Sequence, residues 1–214
     1  MAESHRPHQH SDSFYKHSYY NHSPKHPVTM APATWAELLE GNRVYAETQH
    51  KPAALLGQPG FEIPSVMIFT CIDFRASAEA FLGMKGDEAF VVRNPGGRIT
   101  TGIQSLLFVD TLTGGQALKD IVIIHHFDCG CTHITDDAVK DALKAKSPEL
   151  GAEIDKMAFG TYSAKNMQQH INNIETDIKF LKDSPLVREE LKERVHAYIF
   201  DLQSGKLVAV PINN

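Results

Sequence analysis

Apolar residues along this chain fall into two rhythms. Three short unbroken runs, SVMIFT (65–70), AFVVR (89–93) and IVIIH (121–125), carry β-branched residues and have the length of buried strands. A fourth, VHAYIF (195–200), leads through the turn DLQSG to KLVAVPI. Longer stretches repeat at helical spacing. Thr34 caps a helix through WAELLEGNRVYAETQ, with Trp35, Leu38, Leu39 and Val44 as its stripe and Pro52 beyond its end. TGIQSLLFVDTLTGG (101–115) has the length and apolar spacing of a crossover helix, closed by Gly114 and Gly115. ITDDAVKDALKAK follows as a helix with Thr135 at its cap and Asp136 and Asp137 in its positive first turn. Over 163–182, Met167, Ile171, Ile174, Ile178 and Leu181 share one helical face, a core stripe. Strand, helix, strand order implies parallel pairing with right-handed crossovers. The pattern therefore predicts an α/β fold with a mostly parallel central sheet flanked by helices.

Composition changes this picture at the N-terminus. Residues 1–27 hold six of the 12 histidines and almost no aliphatic side chain, too little to offset the entropy of ordering. A disordered His-rich tail over 1–32 is expected, with a single domain over 33–214. The net charge of -5 leaves no basic surplus for nucleic acid. No apolar run approaches the roughly 20 residues that cross a bilayer, and no secretory signal is read. Three cysteines, two of them at C-x-C spacing, suit reduced thiols or metal ligands in a cytoplasmic protein better than a disulfide framework.

Candidate chemistry sits just beyond two strand ends, where sites form in parallel sheets. IIHHFDCGCTHI (123–134) offers His125, His126, Asp128, Cys129 and Cys131, and Cys71 follows the first strand. If TCIDFRAS (70–77) stays extended, Cys71, Asp73 and Arg75 share one face, and Ile72 and Phe74 pack on the other. Cys71, His126 and a second thiolate make a Cys₂His set that suits zinc and leaves a fourth position open. Spacing alone leaves Cys129 and Cys131 both in play. His125 should point away from His126, and Asp128 either buttresses a ligand or accepts local backbone bonds. His133 reads as a polar residue before the helix.

C-x-D-x-R after one strand and H-x-x-C-G after a later one resemble the β-class carbonic anhydrases. GDEAFVVRNPGG (86–97), LLEGNRVY (38–45) and VHAYIFDLQSGKLV (195–208) extend the likeness over roughly residues 33–210. HHFDCG is similar to the short prokaryotic and fungal branches, which include carbonyl sulfide and carbon disulfide hydrolases. The resemblance implies one Zn2+ per chain on Cys71, His126 and Cys129, with Cys131 a buried non-ligand. It makes Asp73 and Arg75 the catalytic dyad, with Asp73 a conditional fourth ligand. It implies a zinc lyase that hydrates carbon dioxide reversibly to bicarbonate and a proton, through a water that zinc has made acidic. Two thiolates cancel the ion's formal charge, so activity should rise on the alkaline side of neutral. A homodimer or dimer of dimers is implied, with the N-terminal helix lying on the partner. Alternatives are carbonyl sulfide or carbon disulfide hydrolysis at the same site, and a non-catalytic zinc-stabilised binding module. A thiol redox role fits less well, because C-G-C is not the C-x-x-C spacing. Two departures stand out: Phe74, where the family often has Ser or Ala, and Glu62, where the plant-like branch has Gln. No residue stands out as the carrier of the released proton, His133 and the tail histidines being the options in the sequence.

Overall fold

The computed structural model describes residues 33–86 and 88–212. The His-rich segment over 1–32 lies outside them. The chain divides after residue 58 into two units.

The first unit carries α1 (Trp35–Thr48). Its start is fixed by a capping box: Thr34 Oγ1 accepts from the Glu37 amide at 3.3 Å, and the Glu37 carboxylate accepts from the Thr34 amide at 2.7 Å. Arg43 bridges Glu40 and Glu47 one turn to either side, pairs worth a few tenths of a kcal/mol each, about 0.2–0.5. Trp35, Leu38, Leu39, Val44 and Tyr45 are all exposed.

The second unit is built on five strands in the order β2-β1-β3-β4-β5. They are β1 (Val66–Cys71), β2 (Phe90–Asn94), β3 (Asp120–His126), β4 (Val195–Asp201) and β5 (Lys206–Ala209). The first four pair in parallel, and β5 returns antiparallel on β4 through the expected turn. The crossover helix α3 spans Ile99–Leu112, after the four-residue α2 (Ala78–Phe81). Then come α4 (Asp136–Lys146), α5 (Gly151–Asp155), α6 (Met167–Asp183) and α7 (Glu189–Lys192). Thr135 caps α4 as its sequence suggests, accepting from the Ala138 amide at 3.1 Å.

Alternation along the strands supplies two apolar layers. Met67, Phe69, Ile121, Ile123 and Ile199 face Leu106 of α3 and Ile174, Ile178 and Leu181 of α6. Ile68, Ile124 and Phe200 face Ala78 and Phe81. Each fully buried Ile or Leu there contributes about 1.5–3 kcal/mol. The sheet is thus clamped on both faces, and its carboxyl edge is a rigid platform.

One glycine sets that edge. Pro95–Gly97 forms a tight turn after β2 and crosses against the end of β1. Gly97 has φ 69°, and a Cβ there would lie 2.9 Å from the Thr70 carbonyl carbon. No side chain fits either the angle or the space. Among the described residues, no helix is long and apolar enough to cross a membrane.

Candidate metal centre

Cys71 is the last residue of β1 and His126 the last of β3, and these strands are neighbours in parallel register. Cys129 returns three residues later because the loop bends sharply: Asp128 adopts φ 53°, unusual for a residue with a side chain. Thr132 then pins the loop, its amide and hydroxyl both donating to the Cys129 carbonyl, at 2.9 and 2.8 Å. The structure therefore brings Cys71, His126 and Cys129 together, all buried, with their ligand atoms within 4.8 Å of one another.

The spacing suits a tetrahedral ion. The Cys71 and Cys129 sulfurs are 3.7 Å apart. Two thiolates about 2.3 Å from zinc at a tetrahedral angle are separated by roughly 3.8 Å. His126 is pre-set as a ligand too. Its Nδ1 lies 2.8 Å from the Phe127 carbonyl, which only accepts, so Nδ1 carries the hydrogen. Nε2 is left with its lone pair, buried and without a hydrogen-bond partner. A buried acceptor left bare is costly, and a cation between the sulfurs and this nitrogen removes that cost. These three residues can chelate a metal ion, and their donor types fit zinc.

The same geometry makes loading proton-coupled. A hydrogen bond with the Cys129 thiol, and then burial, push the Cys71 thiol up to about 12. Cys129 is also raised, chiefly by its hydrogen bond with Cys131. Both thiols hold protons at neutral pH, and a metal takes them as thiolates. Zinc added to metal-free protein at pH 7 in weak buffer should release about two protons per ion bound, read by pH-stat titration. Release of one or none contradicts a two-thiolate set.

Asp73 and Arg75 stand beside the cluster. β1 ends at Cys71, and the chain does not stay extended: the Ala76 amide donates to the Asp73 carbonyl at 3.0 Å, closing a turn. Arg75 folds back inside this turn. Its Nη2 donates to Asp73 Oδ2 at 2.7 Å and its Nε to Oδ1 at 3.0 Å. The guanidinium is the main reason the Asp73 carboxyl is held below its usual range. Asp73 Oδ2 lies 3.8 Å from His126 Nε2. The turn corrects one expectation: Ile72 and Phe74 do not pack on an opposite face, and Phe74 is 88% exposed.

Asp128 extends the clamp. It takes Arg75 Nη1 on Oδ2 at 2.8 Å and Nη2 on its carbonyl at 2.9 Å. His133, exposed, holds Asp128 Oδ1 at 3.0 Å. Cys131 stays outside the ligand cluster, packed against it and half-buried rather than fully buried. Its thiol is lowered, first by the hydrogen bond to Cys129.

Behind the cluster lies a polar group that sequence reading missed. His125 leaves β3 on the opposite side from His126, and its Nε2 donates to Asp177 Oδ2 at 3.1 Å. Burial lowers its pKa, so it stays neutral. Arg98 pairs with the same carboxylate oxygen at 2.7 Å, balancing the buried charge. His170 of α6, lowered to about 4 by burial, and Tyr162 complete the group. A signal existed for two of them: His170 and Asp177 fall on the apolar face of α6, where only a partnered polar residue belongs.

The family model for carbonic anhydrase matches residues 66–207, more than half of the chain and both motif segments. The chain belongs to the β-carbonic anhydrase family. Within it, Beta-carbonic anhydrase 1 of Mycobacterium tuberculosis is 29% identical over 143 residues, covering 66% of this chain and 79% of the relative. Carbon disulfide hydrolase of Acidithiobacillus thiooxidans is 29% identical over 174 residues, covering 74% and 83%. The crystal structure of carbonic anhydrase from Streptococcus mutans superposes with a TM-score of 0.66 at 26% identity, over 85% of this chain and all of that one. The mostly parallel sheet flanked by helices is the β-carbonic anhydrase fold.

Proposed function

We propose that this protein is a zinc-dependent lyase that interconverts carbon dioxide with bicarbonate and a proton, using Cys71, His126 and Cys129 as ligands. The observation that carries the reading is the Arg75-clamped carboxylate of Asp73, set 3.8 Å from the bare nitrogen of His126. A purely structural metal needs no such group.

Zinc held by these three residues supplies an acidic water as nucleophile. Asp73 is ionised, so its Oδ2 accepts a hydrogen bond from that water and turns a lone pair toward the substrate carbon. Hydration of the substrate would release one proton, which the chain's own residues must pass to solvent. Arg75, fixed by Asp128, keeps Asp73 in place and acceptor-only. Were that clamp to loosen, Asp73, whose Oδ2 lies 3.8 Å from His126 Nε2, would itself be a conditional ligand. His133, exposed and bonded to Asp128, is the candidate that passes the proton to solvent.

The apolar face of α1, exposed in a single chain, supports a homodimer as the minimum unit. Burying Trp35, Leu38 and Leu39 against a second copy removes that surface from water.

A second reading rests on the likeness to a carbon disulfide hydrolase. Carbonyl sulfide and carbon disulfide are linear electrophiles that the same water attacks, with H₂S leaving. One zinc-loaded preparation, tested for carbon dioxide hydration and for H₂S release from carbonyl sulfide, separates the two. Hydration is expected to dominate and to rise on the alkaline side of neutral. H₂S release without hydration makes the second reading the correct one.

A further inference from the structure

Tyr162 comes from a segment with no helix or strand, yet backbone hydrogen bonds hold that segment in place. The Asp136 carboxylate accepts from the Phe159 and Thr161 amides at 3.0 and 3.1 Å. The Tyr162 amide itself donates to the Cys131 carbonyl at 3.1 Å, tying the segment to the ligand loop. Gly96 makes the approach possible: a Cβ there would lie 3.0 Å from both the Gly160 carbonyl oxygen and Tyr162 Cε1.

The ring is held on three sides. It stacks on His125 at 5.3 Å, meets His170 edge-on at 6.0 Å, and lies 5.1 Å from the Arg98 guanidinium carbon. Cys71 and Cys129 share one buried cluster with it. The Tyr162 hydroxyl is buried and has no hydrogen-bond partner of its own, although a buried Tyr O–H ordinarily finds one. Of the neighbouring side chains, Cys129 acts on it most strongly. A neutral thiol is a weak acceptor, whereas a thiolate is a strong one.

We propose that Tyr162 is a positioning residue for the metal, its hydroxyl donating to the Cys129 sulfur and stabilising that thiolate once an ion is bound. The proposal rests on the metal reading above but not on the choice of substrate. The physical consequence is specific. A donor to a ligating thiolate steadies its charge in a dry site and lowers the energy of its lone pairs. It thereby weakens the electron donation of one sulfur and partly restores the Lewis acidity that two thiolates remove.

Cobalt(II) is the probe, because its sulfur-to-metal charge-transfer absorption reports the energy of the thiolate lone pairs. Tyr162→Phe keeps the ring and deletes a hydroxyl that holds no other partner. Its cobalt affinity, by chelator competition, should fall about 10–100-fold. Its charge-transfer band should move to longer wavelength. The band is read per bound ion, so partial unfolding does not imitate the effect. A second protein, with 3-fluorotyrosine incorporated at Tyr162, keeps the ring and strengthens the donor, and its band should move to shorter wavelength. Unchanged affinity, or a weaker affinity with both bands unmoved, overturns the proposal. A wild-type chain without any thiolate band overturns the metal reading as well; a band that ignores Tyr162 overturns this proposal alone.

Discussion

Cys71→Ser loses its metal. The variant replaces the sulfur at the end of β1 with an oxygen that is smaller, harder and far less acidic, so zinc keeps one thiolate and one imidazole. The wild-type pair of sulfurs sits at tetrahedral spacing, 3.7 Å, one at the end of β1 and the other in the pinned loop after its neighbour β3. The site therefore cannot recruit a distant substitute, and Cys131 is excluded because it lies outside the ligand cluster. Purified in parallel and measured by plasma mass spectrometry, the wild type should carry one zinc per chain and the variant less than about a tenth of that. Carbon dioxide hydration should fall with it by about 10³-fold or more. Far-UV circular dichroism should be unchanged, since the substitution is nearly isosteric at a buried position. A variant with full zinc removes Cys71 from the ligand set.

Asp73→Asn should separate binding from turnover. On the proposed reading the carboxylate is not needed to hold the ion, because Cys71, His126 and Cys129 would supply three ligands. It is needed as an ionised acceptor, a state that Arg75 enforces through two hydrogen bonds. The amide presents a donor toward either the guanidinium or the attacking water, and both arrangements are wrong. Loss of a positioned acceptor of this kind costs about 10²–10⁴-fold in rate. Zinc content should stay at the wild-type value while kcat falls by that factor. Full hydration activity in a zinc-loaded Asp73→Asn protein would falsify the proposed role of the dyad. Together the two variants distinguish a residue that holds the metal from one that directs what happens there.

Much of this architecture was legible because its signals are local. β1, β2 and β3 are short apolar runs bounded by polar segments, and period-two alternation in β3 was enough to send His125 and His126 to opposite faces. The helix from Ile99 was read two residues late, because Arg98 and the glycine turn before it give no side-chain cap. Helices α2, α5 and α7 escaped because four or five residues barely exceed one helical turn, too few for a repeat to show. The cluster of Cys71, His126 and Cys129 was visible because thiols and an imidazole follow two separate strands, although spacing alone did not choose between Cys129 and Cys131. Burial and the hydrogen bond to Phe127 add what composition lacks: a defined tautomer and a bare nitrogen.

What stayed hidden is tertiary. Arg98, Tyr162, His170 and Asp177 come from a turn, an irregular segment and a helix, and meet only after the sheet has formed. Arg98 and Tyr162 individually match ordinary loop composition. The turn at Asp73–Ala76 was missed for a related reason. The alternating letters of TCIDFRAS suggest continued extension, but the ion pairs of Arg75 with Asp73 and Asp128 favour folding back, leaving Phe74 in the open.

Zinc K-edge X-ray absorption on the loaded wild-type protein tests the central claim most directly. The account expects two sulfurs at about 2.3 Å, one imidazole nitrogen near 2.0–2.1 Å, and a single further light atom at a comparable distance. A shell of three sulfurs, or one sulfur with no imidazole, would contradict it.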